Sequence, residues 1–74
     1  MNDRYKVIDE PSLSILARFA SQDDALAYVE ALLAVNTDDV LDELTVADEI
    51  GPVFHSDSLR QELQRRAEAA SVLA

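Results

Sequence analysis

His55, Ser56 and Asp57 supply the three residue types of a hydrolase catalytic triad, but they are adjacent in the chain. In a triad the nucleophile and its base face each other from separate parts of the fold, so adjacent residues cannot adopt the relay geometry. We therefore interpret His55 as an ordinary strand or turn histidine. The only glycine is Gly51, which excludes a glycine-rich phosphate-binding loop. These residues predict a protein that is not an enzyme.

Four clustered carboxylates are the best candidate for a hard-metal site, because oxygen ligands suit calcium and magnesium. They are Asp38, Asp39, Asp42 and Glu43. The helix-flanked calcium loop needs a glycine at its sharp turn and a closing glutamate, and no segment of the chain fits that pattern. The chain has no cysteine, so no thiolate can hold zinc. We expect no metal and no cofactor.

The net charge of −9 is concentrated in one stretch, because residues 21–50 hold nine acidic residues and no basic one. A phosphate backbone would be repelled there, and the three arginines of the last predicted helix alternate with glutamates. We therefore expect no direct binding of nucleic acid. A basic protein surface would instead be attracted. An alternative function follows: an acidic inhibitor or antitoxin-like protein that occupies a basic, nucleic-acid-binding surface of its target.

The length of 74 residues predicts one domain, 1–74, near the lower limit for independent folding. Self-association or a partner would compensate for so small a core. No apolar run approaches the roughly 20 residues that span a membrane. The N-terminus lacks the basic start and apolar stretch of a signal peptide, so we expect a cytoplasmic protein that does not bind membranes.

Hydrophobic periodicity and turn signals predict the order β-β-α-β-(β)-α. The predicted elements are a hairpin over 4–20, a helix over 22–35 with Ser21 as its N-cap, one or two strands over 43–55, and a C-terminal amphipathic helix over 57–72. This order indicates an α+β fold with a small antiparallel sheet and a helix packed on one face.

The register of the hairpin follows from its side chains. A three-residue turn at 11–13 would place most apolar residues on the face that the first helix covers: Tyr5, Val7, Ile15, Ala17 and Phe19. Ile8 and Leu16 would then lie opposite each other on the other face, bordered by Lys6 and Arg18. Three interpretations remain open for this second face. The last helix covers it, two exposed aliphatic residues are unremarkable, or it is an interface.

The interface interpretation predicts a non-enzymatic protein–protein interaction module, such as an accessory subunit, a regulator or a small self-associating protein. Its partner would be another protein or a second copy of the chain, forming a dimer. The candidate partner-binding residues are Ile8, Leu16 and Arg18 on the sheet, and Leu59, Leu63 and Arg66 on the last helix.

Four segments resemble a group of short, mostly uncharacterised bacterial proteins with a strand–turn–strand–helix–strand layout. They are Y-K-V-I-D, R-F-A-S, D-D-A-L-A-Y-V-E-A-L-L and E-L-T-V-A-D-E, within residues 4–50. The resemblance implies that layout and a bacterial source. It implies no activity and no catalytic residue.

Overall fold

The computed structural model describes residues 3–73. In chain order the elements are β1 (Tyr5–Asp9), β2 (Ser14–Phe19), α1 (Gln22–Ala34), a 3-10 helix (Asp38–Glu43), β3 (Leu44–Ala47), β4 (Pro52–His55) and α2 (Asp57–Leu73). The predicted α+β class and the predicted element order are confirmed. The 3-10 helix is additional, because the sequence predicts no element between residues 35 and 43.

The four strands form one sheet in the order β2-β1-β3-β4, and every neighbouring pair is antiparallel. Because β2 and β3 both run opposite to β1, they are parallel to each other, and α1 connects them across β1. This is a split β-α-β arrangement. It positions α1 over β1 and β2 and leaves β2 and β4 as the two edge strands.

Local sequence signals explain where α1 begins and ends. The Ser21 hydroxyl accepts a hydrogen bond of 3.1 Å from the Asp24 backbone N–H, as an N-cap does. Asp23 and Asp24 lie in the first turn, where the helix dipole favours negative charge. The Asn36 side chain donates a 2.8 Å hydrogen bond to the Leu32 carbonyl, satisfying one of the free carbonyls at the helix end.

Both helices pack on the same face of the sheet and share one hydrophobic core. α1 contributes Ala25, Leu26 and Val29, α2 contributes Leu59 and Leu63, and the sheet contributes Val7, Leu44 and Val46. Burying a leucine stabilises a fold by about 1.5–3 kcal/mol. Leu59 and Leu63 therefore fix α2 to the sheet, and the opposite sheet face carries no helix within residues 3–73.

The hairpin register is as predicted for half of its length. Tyr5 pairs with Phe19, Lys6 with Arg18 and Val7 with Ala17, but a β-bulge between Val7 and Ile8 then shifts the pairing by one residue. Ile8 pairs with Ile15, so the prediction that Ile8 lies opposite Leu16 is wrong.

The turn accounts for this shift, because it spans residues 10–13, one residue more than predicted. Leu13 closes it with a left-handed backbone, φ 58°. The additional turn residue is compensated by the bulge, which leaves Leu16 without a partner on β1.

Candidate functional site

The sheet face that no helix covers carries two rows of side chains that run across the strands. One row consists of Ile15, Ile8, Thr45 and His55, and the other of Arg18, Lys6, Ala47 and Pro52. Residues that pair directly across strands share a face, and Val7, between Lys6 and Ile8, points into the core. We call this surface the open face.

Exposed apolar side chains gather at the hairpin end of the sheet, and two of them, Ile8 and Ile15, lie on the open face. Leu13 is 76% exposed, Ile15 42% and Leu16 44%, and Ile8 is partly exposed beside Ile15. We call these four residues the hairpin patch. It contains two of the predicted site residues, Ile8 and Leu16, although the bulge changes how they are paired. Leu13 and Ile15 were missed, because their exposure depends on the conformation of the turn.

Arg18, a third predicted site residue, lies beside the patch and directly opposite Lys6. Like charges directly across two strands repel each other. Within residues 3–73, no carboxylate lies within ion-pair distance of Arg4, Lys6 or Arg18. The open face therefore presents two adjacent cations without counter-charges next to an apolar patch.

The three predicted site residues on the last helix are not surface contacts. Leu59 and Leu63 are buried in the core of the chain itself, because α2 folds back beside α1. Arg66 joins α2 to α1: its guanidinium donates to the Asp23 carboxylate and, at 3.1 Å, to the Glu30 carboxylate. The structure corrects their assignment as partner contacts and leaves the sheet residues as the candidate site.

A second arginine of α2 pairs with the 3-10 helix. Arg60 donates hydrogen bonds of 2.8 Å to Asp38 and to Asp42. The hydrogen bonds from Arg60 and Ser56 hold the pKa of Asp42 below its usual range. Together, Arg60 and Arg66 pair with four of the nine carboxylates of residues 21–50. The acidic stretch is therefore partly neutralised from within the fold.

A polar network on the open face was not predicted. The buried Thr45 hydroxyl lies 2.6 Å from Glu10 Oε1 and 2.8 Å from His55 Nδ1, and His55 Nδ1 is also 3.2 Å from the Leu44 carbonyl oxygen. A carbonyl can only accept, so Nδ1 carries a hydrogen, and the Thr45 proton points to Glu10.

This network does not resemble a nucleophile–base pair, because Thr45 is only 1% exposed and no substrate can reach its hydroxyl. Ser56 and Asp57 are not part of it, and the Ser56 hydroxyl instead donates to Asp42 at 2.9 Å. The network covers the polar middle of the open face.

Two hollows lie on the surface of residues 3–73. A groove of about 360 Å³ lies between α1, the 3-10 helix and α2, but its one charged donor, Arg60, is already paired with carboxylates. A hollow of about 200 Å³ lies where β1 begins, beside the turn that carries Glu49 and Ile50. The second hollow is lined by Arg4, Tyr5, Asp48, Glu49 and Ile50, none of which is buried, so it lacks the enclosed polar groups that orient a small molecule.

Residues 3–73 contain neither a metal-binding cluster nor a membrane-spanning helix. No group of three or more His, Cys, Asp or Glu side chains is arranged to hold a metal ion. None of the helices in that range combines the length and apolar character needed to cross a membrane.

Comparison with protein-family models, with curated proteins and with solved structures finds no match to this chain, so the site has to be interpreted from its own geometry.

Proposed function

We propose that this chain is a non-enzymatic protein–protein interaction module whose contact surface is the hairpin patch. The main support for this proposal is the conformation and exposure of Leu13. Its φ of 58° lies in a region that bulky residues rarely adopt, and its side chain is largely exposed. Glycine or asparagine would relieve the strain and remove the exposed apolar surface. A partner that covers Leu13 accounts for both features.

The neighbours of Leu13 support the same proposal. Ile8, Ile15 and Leu16 extend its apolar surface along two adjacent strands, whereas Val35, equally exposed, stands at the end of α1. Contiguous exposed apolar side chains rimmed by polar ones are typical of protein interfaces, and single ones are ordinary. Arg18 and Lys6 supply the polar rim. The role we propose is that of an accessory subunit or regulator in the cytoplasm.

The alternative, an acidic inhibitor of a nucleic-acid-binding protein, has less support. That function needs free carboxylates to bind a basic target. Arg60 and Arg66 already pair with four of those in residues 21–50, and they hold the helices together in doing so.

The test is a capture experiment with three forms of the chain: the unchanged protein, Leu16→Ser and Val35→Ser. Val35→Ser is the matched control, because Val35 is 78% exposed and lies outside the patch. Each form is immobilised and exposed to extract from the source cells, and captured polypeptides, the chain itself included, are identified by mass spectrometry. Thermal unfolding of each form is measured in parallel.

We expect the unchanged protein and Val35→Ser to capture the same partner, and Leu16→Ser to lose it while its melting temperature stays close to that of Val35→Ser. Capture that is equal for all three forms, or that is absent for all three, would contradict the proposal.

A further inference from the structure

A second exposed apolar residue lies at the opposite end of the sheet. Ile50 is 96% exposed and sits in the β3–β4 turn next to Glu49. The Asp48 carboxylate accepts hydrogen bonds from the backbone N–H groups of Ile50, at 2.8 Å, and Gly51, at 3.0 Å. We call residues 48–51 the Ile50 turn. These hydrogen bonds fix its backbone, so Ile50 is presented by an ordered turn.

The Ile50 turn and the hairpin patch are complementary in chemistry. The turn offers one apolar side chain and the carboxylate of Glu49, which forms no ion pair within residues 3–73. The patch offers apolar side chains next to Lys6 and Arg18, which have no counter-charge in that same range. A carboxylate placed against these two cations would relieve their cross-strand repulsion.

The bulge in β2 determines how a partner can approach. Although β2 is an edge strand with free backbone groups, a bulge twists an edge and hinders the pairing of another strand along it. Contact with side chains on the open face, where Ile8 and Ile15 lie, avoids this edge.

We propose that the partner of the hairpin patch is a second copy of this chain, and that each copy inserts its Ile50 turn against the patch of the other. Glu49 of each copy then faces Lys6 and Arg18 of its neighbour. This inference rests on the proposed function, because it names the partner of the same surface.

The topology permits this reciprocal contact. Lys6 pairs with Ala47, so the Ile50 turn lies where β1 begins, whereas the patch lies where β1 ends. The turn belongs to the β3–β4 side of the sheet and the patch to the β2–β1 side, so the two are diagonally opposed. A two-fold axis between the two facing sheets, along the other diagonal, places the Ile50 turn of each copy on the hairpin patch of the other. The strands of the two sheets then cross at about 90°, which is a known sheet packing.

The spacing of charged and apolar residues on the patch can also be matched by the spacing on the Ile50 turn. Lys6 and Ile8 are two residues apart on one strand face, which is about 7 Å. Glu49 and Ile50 are adjacent, with Cα atoms about 3.8 Å apart. The longer lysine, arginine and glutamate side chains span the remaining difference.

The test is a charge exchange followed by sedimentation equilibrium. Arg18→Glu and Glu49→Arg each place like charges at both symmetric contacts, so we expect each to raise the dimer dissociation constant by about tenfold or more. The double variant Arg18→Glu/Glu49→Arg restores the opposite charges, and we expect its dissociation constant to return to within about threefold of the original.

Asp39→Arg is the control for the change in net charge, because Asp39 is exposed on the 3-10 helix and forms no ion pair within residues 3–73. We expect this control to leave the dimer intact and Ile50→Ser to dissociate it.

Three results would overturn the inference: a monomer for the unchanged protein at about millimolar concentration, a dimer that Ile50→Ser leaves intact, or no recovery in the double variant. The proposed function fails separately, because capture of a different protein that depends on Leu16 would uphold that function while removing the second copy as partner.

Discussion

At the scale of the residue, Leu13 combines two unfavourable features of the hairpin turn, backbone strain and exposed apolar surface. Substitutions at this position can separate the two. Leu13→Asn should raise the free energy of unfolding by about 1 kcal/mol, because asparagine tolerates the left-handed backbone. Leu13→Ala removes the same side chain but keeps the strain, so it should give no such gain. Urea unfolding measures both variants at a concentration where the chain is monomeric. A Leu13→Asn variant that is less stable than Leu13→Ala would contradict the assigned strain.

His55 and Thr45 permit a second prediction at this scale. The carbonyl of Leu44 and the hydroxyl of Thr45 both lie within hydrogen-bonding distance of His55 Nδ1, so neutral His55 should carry its hydrogen on Nδ1. Nitrogen NMR chemical shifts of the imidazole report the tautomer directly. Thr45→Val removes the hydroxyl that bonds Glu10, and should lower the free energy of unfolding by about 1–2 kcal/mol. A hydrogen on Nε2, together with an unchanged stability for Thr45→Val, would mean that the network does not form.

At the scale of the element, apolar burial outweighs ion pairing in fixing α2. Leu63→Ala should cost about 2–4 kcal/mol, because it leaves a cavity between the helix and the core. Arg66→Gln should cost only about 1 kcal/mol: its carboxylate partners are partly exposed, and its buried Nε has no acceptor in the described chain. Chemical denaturation of both variants measures the difference.

Arg65→Gln is the control on the same helix, because Arg65 is well exposed and, within residues 3–73, pairs only with Glu62, one turn away. It should cost no more than about 0.5 kcal/mol, as exposed pairs within a helix do. If Arg66→Gln destabilised the protein as much as Leu63→Ala, ion pairs would be the main attachment of α2.

The elements were predictable from sequence where periodicity and capping agree. Ser21 and the spacing of Ala25, Leu26 and Val29 specify α1 and the face that it buries. The 3-10 helix was not predictable, because its acidic residues are typical of a loop and its burial of Leu41 depends on the finished core. The burial of Thr45 was not predictable either, because Glu10 and His55 cover it from neighbouring chain segments.

The candidate site was predictable only in part. Leu16 and Arg18 could be placed on an exposed face from alternation alone. The bulge and the conformation of Leu13 depend on the length of the turn. A three-residue and a four-residue turn give different strand registers, and the composition of this segment does not distinguish them. The burial of Leu59 and Leu63 depends on which sheet face α2 covers, and amphipathic spacing does not specify that choice.

At the scale of the whole molecule, carboxylates with lowered pKa values determine the response to acid. Hydrogen bonds from Arg60 and Ser56 lower the pKa of Asp42, backbone N–H groups of Gly51 and Ile50 lower that of Asp48, and Arg65 lowers that of Glu62. A carboxylate whose pKa is lower in the folded chain stabilises the fold above its unfolded pKa. That contribution is lost as the pH falls through the folded pKa.

The free energy of unfolding should therefore decrease as the pH falls below about 4.5, where unfolded carboxylates begin to protonate. Asp48→Asn should make this decrease shallower, because its amide oxygen still accepts the two turn hydrogen bonds but no longer titrates. Urea unfolding over a pH series measures the slope, with Asp39→Asn as the control for the lost charge. Equal slopes for the original protein and Asp48→Asn would contradict the assignment.

The distribution of charge over the whole molecule also bears on self-association. The excess of nine negative charges lies in residues 21–50, whereas residues 1–20 are neutral overall. The proposed contact brings Glu49, from this acidic stretch, against Lys6 and Arg18 in the neutral segment of the other copy, so opposite charges meet there. Such a contact pairs Lys6 and Arg18 with a carboxylate and also covers the strained Leu13. One interface would therefore explain both the unpaired cations of the sheet and the exposed residue of the turn.

The measurement that tests this account most directly is the solution mass of the unchanged protein, by light scattering over a series of concentrations. We expect a mass that rises to twice the chain mass of 8.2 kDa, and a Leu16→Ser variant that stays at 8.2 kDa. At a dilution where both forms are monomeric, the two should unfold at nearly the same temperature. A mass of 8.2 kDa for the unchanged protein at every concentration up to about 1 mM would contradict this expectation, since a dissociation constant above that value corresponds to a binding free energy weaker than about 4 kcal/mol.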